Sequence, residues 1–233
     1  MILSAISSHI HHINTSVIEN LKPKEIIMAD KPSKAAIDLI VESEVTSKGY
    51  YEKHYRKPEW PGGASGVTIA VGYDLGFANE AKLRNDWTGK IDDDMIDALI
   101  KYAGLTGEKA HAKLAEAREE IDIPWEAAYD VFENIDMPDW SAKVKKALPN
   151  TDKLSEDSFG ALVSLAYNRG ASFSKDGDRY KEMREIKENM ANETFDQIPD
   201  CFREMKRLWP NVRGLQDRRD AEAKLFEAGL ENA

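Results

Sequence analysis

The chain has 233 residues, 42% hydrophobic and 32% charged, enough to bury the core of one globular domain or at most two. Its net charge of -10 excludes broad electrostatic binding to nucleic acid, which needs a basic footprint. No run approaches the ~20 apolar residues of a membrane-spanning helix, so no membrane insertion is expected. The single cysteine, Cys201, rules out a disulfide within the chain and reads as a small hydrophobe on a helix.

Residues 1–29 have no basic n-region, and Ser, His and Asn interrupt their apolar residues, so they do not read as a secretory signal. Synthesis in the cytoplasm is expected, and action outside it would need another agent for release or secretion. Met28 is an alternative start. His9, His11 and His12 lack a cysteine or carboxylate framework, so no metal is expected there, and no other cofactor is implied. The expected organisation is a poorly ordered extension over 1–29 and one domain over 30–233.

A helix is predicted over 31–45, with Asp30 as N-cap and Pro32 in its first turn. At ~100° per residue, Ile37, Ile40, Val41 and Glu44 share one narrow face, while Asp38 and Glu42 fall on the polar side. A carboxylate in line with an apolar stripe is paired or functional. Residues 46–66 read as a loop, with Pro58, Pro61, Gly62, Gly63 and Gly66 as turn signals. The segment GVTIAVGYD then alternates as a strand. Val67, Ile69, Val71 and Tyr73 share one face, and Thr68, Ala70, Gly72 and Asp74 the other. A lone strand is unstable, so a neighbouring segment must pair with it.

From about residue 80 the pattern is helical, with helices predicted near 79–87, 92–103, 106–119, 124–134, 136–148, 156–168, 178–191, 194–198, 200–208 and 215–229. In DSFGALVSLAYNRG, Ser155 is the N-cap candidate, Phe159, Leu162, Val163 and Ala166 form the apolar face, and Asn168-Arg169-Gly170 closes the helix. The fold class is α+β, mostly α. Between Cys201 and Arg219 six basic residues face two acids, which suits either an anionic partner or a solvated helix face. In the last helix Leu215, Arg219, Glu222, Leu225 and Phe226 share a face, so Arg219 and Glu222 need charge partners, with Glu44 a candidate.

No HExxH pair, GxSxG elbow, phosphate-binding loop or dinucleotide fingerprint is present. Paired carboxylates remain. Glu44 has, on paper, the apolar setting of a general acid. Thr68 and Asp74 share a strand face, but six residues of straight strand span ~20 Å. They serve one water only if the chain bends near Gly72-Tyr73, which Gly72 permits.

The segments IVESEVTSKGYY, PGGASGVTIAVGYDLG, FGALVSLAYNRG and GLQDRRDAEAKLFEAG, collinear over about residues 34–230, resemble the phage-type lysozymes, most closely the pesticin-like muramidase branch. The resemblance implies a two-lobed lysozyme-like fold, with a small β lobe and a larger helical lobe. It also implies hydrolysis of the β-1,4 bond between N-acetylmuramic acid and N-acetylglucosamine in peptidoglycan glycan strands. Glu44 matches the catalytic glutamate that ends the first helix, Thr68 the threonine of the TIxxG strand, and Asp74 the aspartate of the pesticin-like branch. Arg218 or Arg219 matches an arginine that pairs with the glutamate, and the helical count favours Arg219. Asn168 matches a cleft-facing position, with helix capping an equal reading, and Tyr73 joins the binding or supporting residues. Ala70 departs from the family's usual glycine and places a methyl on the Thr68 strand face. An inactive peptidoglycan-binding descendant and a lytic transglycosylase are the competing classes. A monomer is expected, and endolysin, secreted effector and bacteriocin fragment are all open as biological roles.

Overall fold

In the computed structural model, which describes residues 30–231, the first helix α1 (Lys34–Val45) starts one turn later than Asp30 would place it. Ser33 is the cap, its hydroxyl accepting the Ala36 amide at 3.1 Å. Asp30 instead meets Lys145 at 2.7 Å. Ala36, Ile40 and Val45 are buried, whereas Ile37, Val41 and Glu44 are half-buried. The helix stops abruptly at Thr46, whose φ of 66° is unusual for a β-branched residue. The expected 1–29 extension and its three histidines lie outside the described residues.

A second helix, α2 (Lys48–His54), occupies part of the predicted loop. Ser47 caps it through the Tyr50 amide at 3.2 Å, and the buried Tyr51 hydroxyl donates to the Ile123 carbonyl at 3.0 Å. Seven residues with a glycine give little periodic signal, and the tertiary anchor of Tyr51 stabilises what local propensity does not.

The expected single strand is an antiparallel hairpin of β1 (Thr68–Ile69) and β2 (Tyr73–Asp74). Thr68 stands opposite Asp74 and Ile69 opposite Tyr73, with the reversal carried by Ala70 at φ 52° and Gly72 at φ 91°. A register centred on the turn keeps 68 and 74 on one side and 69 and 73 on the other, so the predicted faces survive the change of element. Val67, Ile69, Val71 and Tyr73 are all buried. Glu59 exchanges both backbone hydrogen bonds with Thr68, at 2.9 and 2.8 Å, so the preceding loop does supply pairing.

The helices that follow are α3 (Glu80–Trp87), α4 (Asp93–Ile100), α5 (Glu108–Glu120), α6 (Trp125–Val131), α7 (Met137–Ala147), α8 (Glu156–Arg169), α9 (Lys181–Asn192), α10 (Ile198–Glu204) and α11 (Arg213–Glu231). Together with the short hairpin they make the protein mostly helical α+β. Where a break between two helices was expected near 135, a π segment (Phe132–Asp136) joins α6 to α7. Pro138 gives a reason, since it has no N–H for the carbonyl one turn back and its ring crowds that turn.

The central helix is α8, buried from Ser158 to Ala166 and packed along α1 and α11. Each fully buried Ile, Leu or Phe there, such as Ile40, Leu162 or Phe226, stabilises the fold by ~1.5–3 kcal/mol. In α11 the buried stripe is Arg218, Arg219, Glu222, Ala223, Phe226 and Gly229. Leu215 and Leu225, expected on it, are half-buried at its margin.

The basic segment does not present free charge. Arg203 meets Glu227, Lys206 meets Asp220 and Arg207 meets Asp178 and Glu182. Arg213 meets Asp217, Arg218 meets Glu44, and Arg219 meets Glu222. Cys201 is free and buried on α10, and that burial pushes its thiol up to about 11. No helix among the described residues is long and apolar enough to cross a membrane.

Candidate active site

Glu44 is delivered to a cleft by the abrupt end of α1, one residue before Val45 turns back into the core. Its Oε1 accepts a hydrogen bond from Arg218 Nη1 at 2.7 Å. The predicted preference for Arg219 is therefore wrong by one residue. Arg219 is fully buried and bonds Glu222 at 2.8 Å, while Arg218 also reaches Glu222 at 3.3 Å and the Ser164 carbonyl at 3.1 Å. Ser164 in turn donates to Glu222 at 2.7 Å. Two arginines and two glutamates thus balance in charge, with Glu44 the most exposed member at 25% against 4% for Arg218. A guanidinium occupies what the sequence suggested to be an apolar setting.

Two hollows are walled in part by this carboxylate, and a third shares a wall with each of them. One of 150 Å³ is lined by Glu44, Tyr55, Glu59, Thr68, Ala70 and Gly72. The second, of 520 Å³, has Gly72, Asp74, Lys82, Asp136, Trp140 and Asn168 among its walls. In the third, of 540 Å³, Glu44, Asn168, Val212 and Arg218 take part. Glu44, Gly72 and Asn168 are the shared walls, so the hollows form one branching cleft between the hairpin and the helices.

Thr68 gives both its backbone groups to Glu59, which makes Thr68 and Asp74 a non-hydrogen-bonded pair, the class with Cα atoms ~4.5 Å apart. The required bend thus exists as a full chain reversal. The Asp74 carboxylate is nevertheless held by backbone amides, from Gly66 at 3.0 Å and Gly76 at 2.8 Å. Burial raises this carboxyl above its ordinary range, and the two amides oppose that shift. A methyl group at Gly66 would overlap both the carboxylate and the Gly76 backbone, so this clasp depends on glycine. The structure brings Glu44 and Thr68 to one hollow and Asp74 to the next, across Gly72.

Asn168 lies inside α8 and lines two of the hollows, while Gly170 takes the C-cap at φ 74°. Tyr73 turns inward: its hydroxyl donates to the buried Asp86 at 2.7 Å, and its ring meets Trp87 edge-on at 5.5 Å. It supports the hairpin. Ala70 is not on a strand face at all but in the turn. Two residues that sequence reasoning missed complete the site. The Tyr167 hydroxyl donates to the Val71 carbonyl and pins the hairpin tip to α8. Asp136 enters the second hollow from the π segment. An acid displaced by a π turn has no periodic signature, although the Asp-Met-Pro run was a cue. No cluster of metal-ligating side chains occurs among the described residues.

Fold and cleft together define a mostly helical α+β protein with an arginine-paired glutamate and a clasped aspartate on two sides of a hairpin. Residues 39–163, more than half of the chain, match the family model described as Domain of unknown function (DUF8812), and the chain belongs to that family. The matched region includes Glu44, Thr68, Asp74 and Asp136 but ends before Asn168 and Arg218. No curated protein matches the chain.

Proposed function

We propose that this protein is a muramidase of the phage-type lysozyme class, closest to the pesticin-like branch, with a lysozyme-like arrangement of a hairpin lobe against a helical lobe. Its substrate is the β-1,4-linked glycan strand of peptidoglycan. The observation that carries the reading is the hairpin register. It sets Thr68 opposite Asp74 at the edge of a cleft whose other wall is Glu44.

In this reaction Glu44 gives a proton to the departing glycosidic oxygen as the C1–O bond breaks. A water molecule, oriented by the Thr68 hydroxyl, attacks C1 from the opposite face and yields its proton to Asp74. Arg218 holds Glu44 in place, and after turnover the proton on Asp74 returns to solvent while Glu44 takes one back from it. Glu44→Gln is expected to lower release of reducing ends from purified cell walls by at least about a hundredfold, while the protein stays folded at the assay temperature with a lower melt, since Arg218 loses a partner. Full activity in that variant rules the mechanism out.

One feature favours a second reading. The amide clasp aims Asp74 into the neighbouring hollow, which suits a lytic transglycosylase that uses Glu44 without a water-activating carboxylate. Mass spectrometry of the products separates the two, because only the transglycosylase leaves anhydromuramyl ends.

A further inference from the structure

One carboxyl in the cleft has no part in this chemistry. Asp136 ends the π segment and lines the hollow that holds Asp74, and its carboxyl makes no hydrogen bond with another described residue. Its oxygens are not among the buried polar atoms left without a partner, so this carboxyl faces the open hollow, where a ligand can reach it. The π turn adds to this, since such widened turns redirect a side chain and gather at functional sites.

Apolar surface stands beside it. Phe77 lines the same hollow and is 74% exposed, the most exposed large hydrophobic side chain among the described residues. Trp140, four residues after Asp136, also lines it, with the Lys143 ammonium 3.9 Å from its ring centroid. Lys143 covers one face of Trp140, so Phe77 is the open ring, and an open ring that shares a hollow with a carboxyl suits a ligand with one apolar and one polar side. The C–H face of a pyranose, with its hydroxyl and acetamido substituents, has that character.

We propose that Asp136, Phe77 and Trp140 form a saccharide-binding subsite beyond Asp74, in which the Phe77 ring carries the sugar face, Trp140 and Lys143 wall the subsite, and the Asp136 carboxyl donates a hydrogen bond to the acetamido carbonyl of an N-acetylated sugar. The assignment rests on the glycan-cleaving reading of the cleft and names the binding group that reading leaves open. Burial pushes the Asp136 carboxyl up to about 7, so it keeps a proton to donate under mildly acidic conditions. From α3, Lys82 opposes the shift and Asp86 adds to it. From α7, Asp139 adds to it and Lys143 opposes it. Tyr73 on the hairpin and Tyr167 on α8 also feel the Asp136 charge, and Asp74 shares the hollow. Loss of the proton removes the donor, so affinity falls as pH rises through about 7.

Calorimetric titration of the Glu44→Gln protein with an N-acetylglucosamine oligomer, at about pH 5 and about pH 9, tests this. Binding about tenfold weaker at the higher pH is expected. In the same background Asp136→Asn, which keeps a donor, is expected to bind with a flat pH profile. Asp136→Ala and Phe77→Ala are each expected to bind about tenfold more weakly at the lower pH. The proposal is overturned if Asp136→Ala binds as tightly as its parent, if Asp136→Asn retains the pH dependence, or if the oligomer does not bind. These outcomes are independent of lysis: loss of activity in Glu44→Gln with normal binding by Asp136→Ala removes the subsite and leaves the hydrolase reading. Full lysis by Glu44→Gln with lost binding by Asp136→Ala does the reverse.

Discussion

Ala70 carries a left-handed φ of 52° without glycine's freedom, while the Gly72 two residues on has φ 91°. An L-residue in that region is disfavoured by ~1–2 kcal/mol, of which glycine recovers part after its larger loss of chain entropy. Ala70→Gly is therefore expected to stabilise the protein by about 0.5–1 kcal/mol, read as a higher urea midpoint at constant slope. A lower midpoint would mean that the turn does not hold this conformation. Thr46, at φ 66°, is the second strained residue beside the cleft. Strain at Ala70, in the wall of the Glu44 hollow, and at Thr46, two residues after Glu44, fits a site whose geometry is imposed by its surroundings. The same residue scale explains the Arg218 correction. Helical counting placed Arg219 on the apolar stripe correctly, since it is fully buried, but burial is not adjacency. The partner of Glu44 was set by which guanidinium reached across from α11 to α1.

At the scale of elements, the hairpin matters most. Two residue pairs cannot hold it alone, and it is supported from three sides: Glu59 along one edge, Asp86 beneath Tyr73, and Tyr167 at the tip. Tyr167→Phe removes the hydroxyl that meets the Val71 carbonyl and leaves that acceptor without its protein donor. A loss of about 1–2 kcal/mol in stability is expected. On the proposed muramidase reading, cell-wall turnover should drop more than the stability loss explains, because the turn positions Thr68 against Glu44. Stability and turbidity clearance measured together check this, and unchanged clearance would show that the tip need not be held. The hairpin also shows what local pattern can and cannot give. Alternation over 67–74 identified which residues are buried, and the demand for a bend near Gly72 followed from distance. That the bend is a complete reversal depends on pairing, which alternation does not encode.

Across the whole molecule, Glu44, Arg218, Glu222, Arg219 and Ser164 link the first described helix to the last through the central α8. Such a cluster adds little to stability as a whole, because desolvation offsets attraction, but removing one member leaves an uncompensated buried charge. Glu222→Gln keeps the shape and removes one negative charge from two arginines. A destabilisation of about 3–5 kcal/mol is expected, with a lower urea midpoint. A loss below about 1 kcal/mol would mean that water or relaxation compensates the charge. The cluster also makes the site conditional on the fold, since Arg218 reaches Glu44 only when α11 is docked.

What the sequence by itself determined is most of the helices and a set of candidate residues. Periodicity of 3.6 and 2, capping residues and turn formers act over a few positions, and so they located most helices and buried faces, put Glu44 in line with an apolar stripe, and put Thr68 and Asp74 on one strand face. What only the tertiary structure decided is everything set by contact between distant segments. That includes Arg218 as the partner of Glu44, the clasp that turns Asp74 toward its own hollow, the inward turn of Tyr73, and the arrival of Asp136 and Tyr167 in the cleft. These depend on packing, where one residue of helical rotation or one widened turn changes which side chain meets which, and no local spacing records that choice.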